Sequence, residues 1–145
     1  MPTLYVMVAL PRSGKTTYVS EHFKDIPVVS ADQLRLLIHG KRYAAEQEPK
    51  VWWVRNIMLK ALMEQGLDVA VDQTNITRKR REPLVKLAEE YGFKAVAVVL
   101  KTDIEICKAR AVETDQEDLV PVIEEFAKQF EPVTEDEGFA EIIYV

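Results

Sequence analysis

One stretch constrains this chain more than any other: residues 4–10 and the segment Pro11-Arg12-Ser13-Gly14-Lys15-Thr16-Thr17 that follows them. The first part is short and almost continuously apolar, the pattern of a strand buried on both faces of a parallel sheet. The second part opens a short helix toward Phe23. A strand that ends in Gly-Lys-Thr and runs into a helix matches the phosphate-loop pattern, with Ala9 standing for its first glycine. Such a loop turns backbone N–H groups toward phosphate oxygens, with a helix N-terminus behind them. Gly14 permits close backbone approach, Lys15 reaches the β- and γ-phosphates, and the Thr16 hydroxyl ligates Mg²⁺. Arg12, Ser13 and Thr17 complete the nucleotide-binding segment. Arg12 is unusual at a place where small residues are common, and either covers the phosphates or points to solvent. ATP and Mg²⁺ are the expected cofactors.

The rest of the chain alternates in the same way. Segments 27–29, 67–71, 94–100 and 141–145 read as further strands. Between them, Ser30 and Gln33 form a capping box for a helix from Ala31 to near Gly40. Pro49 opens a long helix to about Gln65, closed by Gly66. Thr77 caps a helix to Tyr91, and Pro83 within it predicts that regular helix starts later than Thr77. Thr102 and Glu105 form a capping box for a helix to about Val112, and Pro121 opens one to Phe130. Strands alternating with helices predict an α/β fold of three layers, a parallel sheet of about five strands with helices on both faces. The 145 residues fit a single domain, with a short lid at about 111–119. In such sheets ligands bind beyond the carboxyl ends of the strands. The chemically interesting residues all follow strand ends.

Asp32, in the first turn of a helix, is placed to accept a proton from an attacking hydroxyl. Arg35, one turn on, offers a phosphate-binding fork to the acceptor. The alternative is a carboxylate that favours the helix dipole and an arginine on the surface. Asp72 ends the third strand, where an acid holds Mg²⁺ directly or through water. Thr74 and Asn75 either shape the loop or bind the acceptor, unless Asp72–Asn75 is simply a polar turn. Arg110 lies just before the lid and is the arginine available to stabilise charge on the transferring phosphate. Arg78-Lys79-Arg80-Arg81 is the densest basic run and reads as a polyanion contact or as a solvated face. Trp52 and Trp53 are adjacent on one helix, so at most one joins the core. His22, His39 and Cys107 suggest packing or surface roles.

Taken in order, Pro11–Thr17, Ser30-Ala-Asp-Gln-Leu-Arg35, Asp72-Gln-Thr-Asn75 with Arg80-Arg81, Glu90-Tyr-Gly-Phe93 and Phe130-Glu-Pro resemble the polynucleotide 5′-hydroxyl kinases over essentially the whole chain. The resemblance implies an ATP-dependent kinase acting on 5′-OH ends of DNA or RNA. Lys15 and Thr16 would serve ATP and Mg²⁺, and Asp32 would be the general base. Arg35 would grip the phosphate of the terminal nucleotide. Asp72, Thr74 and Asn75 would shape the acceptor side, and Arg110 would act from the lid. The family often carries a second lid arginine where this chain has Thr114. A phosphatase or ligase would come from another chain. A small-molecule P-loop kinase and a non-catalytic nucleotide-binding module are the alternatives, since fold does not separate them.

Net charge bears on that acceptor. The total is −5, but residues 1–112 hold 18 Lys/Arg and 13 Asp/Glu, whereas 113–145 hold 1 Lys and 11 Asp/Glu. Body and C-terminal segment therefore carry +5 and −10. This split predicts a basic acceptor groove near Arg35 and Arg78–Arg81 and an acidic flank elsewhere. No apolar run reaches 18 residues. The N-terminus shows no basic-then-apolar leader, and a single cysteine excludes an internal disulfide. Together these predict a cytoplasmic protein without a membrane partner.

Overall fold

The computed structural model describes all residues, Met1–Val145. Five parallel strands form one sheet: β1 (Thr3–Val8), β2 (Val28–Ser30), β3 (Val69–Asp72), β4 (Lys94–Val99) and β5 (Glu141–Tyr144), in the order β2-β3-β1-β4-β5. Six helices cover it: α1 (Lys15–His22), α2 (Ala31–His39), α3 (Glu48–Glu64), α4 (Arg78–Glu90), α5 (Ile104–Glu113) and α6 (Val120–Gln129). The expected α/β architecture is what the chain adopts.

β1 lies at the centre and shows the two-residue period of a strand buried on both faces. Leu4 and Val6 join Val69 and Val71 against α2, α3 and α4, through Leu34, Val51, Leu59, Met63, Leu84 and Ala88. Tyr5 and Met7 point the other way, toward Val19 and Phe23 of the α1 side, with Ala70, Val96 and Val98. A smaller cluster of Cys107, Ala111 and Ile123 joins α5 to α6. No helix is long and apolar enough to cross a membrane.

Helix ends follow the sequence in some places and depart from it in others. Ser30 caps α2 by accepting from the Gln33 N–H at 3.3 Å, and Thr77 caps α4 by accepting from the Arg80 N–H at 3.3 Å. Pro83 does not delay α4, which begins at Arg78 and contains the proline in its second turn. Thr102 does not cap α5. Asp103 does, accepting from the Glu105 N–H at 2.8 Å, and the Thr102 hydroxyl instead donates to the Ser13 carbonyl at 2.6 Å. One residue of slippage thus turns an expected cap into a tie to the phosphate loop. A 3₁₀ turn (Ala45–Gln47) leads into α3.

The acidic C-terminal segment folds back over α4. Arg81 is 0% exposed. Its Nε and Nη2 donate to the Glu137 carboxylate at 2.7 and 3.1 Å, Nη1 to the Asn75 carbonyl at 3.0 Å, and Nη2 also to the Glu131 carbonyl at 3.0 Å. Gly138 lets the backbone pass close to α4: at φ 102° a Cβ there would stand 2.9 Å from Val85 Cγ1. Burial raises the Glu137 carboxyl, but hydrogen bonds from Arg81 and the Thr134 N–H outweigh it and hold it below the usual carboxylate range.

A group with a lowered folded-state pKa contributes stability that is complete above its unfolded value and is lost as pH falls through the folded one. Wild-type protein should therefore lose stability below about pH 4 relative to Glu137→Gln, as read by urea unfolding across pH. At pH 7, Arg81→Ala should lower the unfolding free energy by about 3–5 kcal/mol, because it leaves a buried carboxylate unpaired.

Candidate active site

β1 delivers the chain to the phosphate loop at Ala9, which is fully buried and donates its N–H to the Thr74 carbonyl at 2.9 Å. Gly14, at φ 96°, starts α1 without a side-chain cap, and no acidic residue stands in the first turn. Backbone N–H groups of residues 13–17 find no acceptor within the chain.

Arg12 is left-handed at φ 63°, a conformation that costs a non-glycine residue about 1–2 kcal/mol. It is held there by the end of α5: Nη2 donates to Thr114 Oγ1 at 3.0 Å and to the Arg110 carbonyl at 3.4 Å. Arg110 returns the contact, its Nη1 donating to the Arg12 carbonyl at 3.3 Å and lying 3.4 Å from where a Cβ on Gly14 would be. So Arg12 faces the segment 111–119, and Thr114 receives its guanidinium. Cations at a helix C-terminus also meet the negative end of the dipole.

Lys15, the first residue of α1, reaches to the end of β3 and pairs with Asp72, their side chains 11% and 10% exposed. β2 and β3 are in register with Ser30 opposite Asp72. Asp32, two residues on, therefore stands at the same edge of the sheet as the Lys15–Asp72 pair. Its side chain is 69% exposed and accepts from Arg35 Nη1 at 2.8 Å. Arg35 is further engaged, donating through Nε and Nη2 to the Glu48 carboxylate at 3.0 and 2.8 Å. Burial lowers the Arg35 guanidinium, but Glu48 and then Asp32 overcome it and raise it above its ordinary value.

The loop after β3 turns inward. Asn75, at φ 45° and 2% exposed, donates through Nδ2 to the Met7 carbonyl at 2.9 Å. Its side chain thus ties the loop to β1, in keeping with the loop-shaping role, while its Oδ1 has no partner within the chain. Thr74 is partly exposed and offers its carbonyl to Ala9. Gln73 is buried and accepts from Arg55 Nη1 at 2.8 Å.

The expected basic groove along Arg78–Arg81 does not exist as a unit. Arg78 pairs with Asp136 at 3.0 Å, Arg81 is buried on Glu137, Arg80 lies over Trp52, and Lys79 is exposed. The acidic C-terminal segment neutralises part of the basic run rather than standing apart from it, because helical spacing sends consecutive residues to different faces. Asp118, in the segment 111–119, pairs with Arg42 beyond α2.

Glu48 and Arg55 escaped notice in the sequence. Arg55 had a readable signal. The buried residues of α3 are Val51, Arg55, Leu59 and Met63, an i, i+4 apolar stripe interrupted by one guanidinium.

Residues 4–132 match the family model described as an AAA domain. The chain belongs to that family, a P-loop kinase domain. A curated relative, the L-seryl-tRNA(Sec) kinase of Methanococcus maripaludis, is 26% identical over 137 residues, covering 88% of this chain and 52% of its own. The chain thus spans about half the length of that relative. The fold is similar to a chain of the Pnkp1/Rnl/Hen1 RNA repair complex, with TM-score 0.69 and 19% identity over 90% of this chain and 46% of that one. It is also similar to a gluconokinase from Sinorhizobium meliloti 1021, with TM-score 0.66 and 17% identity over 99% and 82%.

The site of this kinase domain fits a nucleotide polyphosphate. Its free N–H groups, the uncapped start of α1 and the Lys15 ammonium make a concave donor set. The Ser13 hydroxyl, buried without a partner, adds an orphaned polar atom in the same loop. For Mg²⁺ the exposed Thr16 hydroxyl and the Asp72 carboxylate are the oxygen donors that would hold the ion.

Lys15→Ala should weaken ATP binding at least tenfold in isothermal titration while the far-UV circular dichroism stays unchanged. Arg12→Gly should relieve the strained φ yet speed amide exchange over residues 112–116, because Thr114 and the end of α5 lose their tie to the loop.

Proposed function

We propose that the chain is an ATP-dependent kinase unit that transfers the γ-phosphate to the 5′-hydroxyl of a DNA or RNA end. The observation that carries this reading is Asp32. It is an exposed carboxylate at the first turn of α2, beside Arg35 and at the same sheet edge as the phosphate-loop lysine. A hydroxyl bound there donates its proton to Asp32 as its oxygen attacks the γ-phosphorus, and the bond to the β–γ bridging oxygen breaks to release ADP. Lys15 leaves Asp72 to meet the β- and γ-phosphates. Arg110, lying over Gly14, offsets charge that develops on the transferring group. Mg²⁺, held by Thr16 and Asp72, would neutralise the phosphates. Thr74 and the Asn75-anchored loop border the acceptor.

Two likenesses support a nucleic-acid acceptor. One relative is named for an L-seryl-tRNA, and one structural neighbour sits in an RNA repair complex. The latter, a complex of several named components, also supports a repair partner on a separate chain. A second reading, a small-molecule hydroxyl acceptor, is favoured by the loss of Arg78 and Arg81 to ion pairs, which leaves less positive surface for a long polyanion.

Incubation with γ-labelled ATP, Mg²⁺ and a 5′-OH oligonucleotide should label the oligonucleotide. Absence of label with ATP still bound sinks the reading, and a labelled sugar or nucleoside instead establishes the second. Asp32→Ala should lower kcat by about 10²–10⁴-fold with ATP affinity unchanged.

A further inference from the structure

The outward face of α3 is apolar where a solvated helix carries charge. Val51, Arg55, Leu59 and Met63 turn inward. At about 100° per residue, the direction opposite that stripe passes through Ile57, with Lys50, Trp53, Ala61 and Glu64 within about 40° of it. All five are exposed, Trp53 by 66% and Ile57 by 48%. Trp53 and Ile57 enter none of the chain's apolar clusters, whereas the neighbouring Trp52 packs against the core and lies under three guanidinium groups. An indole left this open is the side chain that most often anchors an interface between proteins.

Two exposed apolar side chains by themselves name no partner. Their surroundings do. Lys50, Trp53, Ile57, Ala61 and Glu64 follow one another at intervals of 3, 4, 4 and 3 residues, a series that reads the same from either end. A two-fold axis across α3 at Ile57 therefore lays the row on itself in reverse, as a self-complementary contact between identical chains requires. Ile57 meets the partner's Ile57, Trp53 meets the partner's Ala61, and Lys50 meets the partner's Glu64. The largest side chain of the row falls on the smallest, as a knob falls in a hole. Each end of the row faces the opposite charge. Parallel pairing would instead put lysine on lysine and glutamate on glutamate, which like charge disfavours. The face also avoids the reacting edge. α3 begins at Glu48, which holds Arg35, so antiparallel pairing carries the two edges to opposite ends of the helix pair.

We propose that two copies of this chain associate through the outward face of α3, antiparallel and with Ile57 on the two-fold axis. Trp53 supplies the apolar anchor, and the Lys50–Glu64 pairs fix direction and register. α3 has 17 residues, a length of about 25 Å. One face of it covers less than the roughly 800 Å² per partner of a standard interface, so the dimer is weak and reversible. The association is independent of which hydroxyl the kinase phosphorylates.

Sedimentation equilibrium over a range of concentrations tests this. Wild-type protein should shift reversibly from 16.6 kDa toward twice that mass, with a Kd of about 10–100 µM. Trp53→Ser should weaken the association at least tenfold. Glu64→Lys, which sets two ammonium groups against each other at both ends of the row, should do the same. Adding Lys50→Glu to the Glu64→Lys chain restores opposite charges and should bring the Kd back to within about threefold of wild type. All three positions are exposed, and far-UV circular dichroism checks that each variant keeps its helices. A wild-type protein that stays monomeric well above that concentration range overturns the proposal. A dimer that Trp53→Ser or Glu64→Lys leaves unaltered overturns it too, because another surface then holds the copies together. Failure of the double charge exchange to rescue Glu64→Lys overturns the antiparallel register, and with it the proposal.

Discussion

β1 leaves little room for polarity along its length beyond Thr3 and Tyr5. It has a parallel partner on each side, and its side chains pack into a core on each face. The chain can expose backbone donors only where the strand stops. That confinement puts the uncapped start of α1 at the carboxyl edge, and the same edge receives Asp72 from β3 and Asp32 from just beyond β2. The chemistry is concentrated because the sheet interior excludes it everywhere else, which is the general reason that open parallel sheets bind ligands beyond their strand ends.

Arginine then does five different jobs within a small space. Arg12 is strained and clasped to α5, Arg110 lies over the phosphate loop, Arg35 is saturated by two carboxylates, Arg81 is buried as a tie between segments, and Arg55 is buried without a counter-charge. Residue type alone would have made these interchangeable. What separates them is which acceptor each guanidinium finds, and whether water is present where it finds it.

That is also where the sequence stopped being legible. The strand–helix alternation, the phosphate loop and the approximate element bounds could be read because they depend on local periodicity and on chain direction. Ser30 and Thr77 were readable as caps for the same reason. Thr102 was not, since Asp103 caps equally well and only the tertiary neighbour Ser13 decides between them. Nor was the fate of Arg78–Arg81, whose partners Asp136 and Glu137 lie more than 50 residues away in sequence. Charge split by segment suggested separation in space, and long-range pairing reversed it. Arg55 could have been noticed as the one charged residue in the apolar stripe of α3, though Gln73 as its partner could not.

Arg81 has a further consequence. One guanidinium holds the Asn75 carbonyl on the loop after β3 and the Glu137 carboxylate of the C-terminal segment. The geometry of the loop after β3 and the docking of the last strand are therefore coupled variables of a single equilibrium. By reciprocity, whatever free energy the docked tail lends to that loop, an occupant that steadies the loop returns to the tail. Damage at the C-terminus, though remote from the phosphate loop along the chain, is in thermodynamic terms damage to the loop after β3.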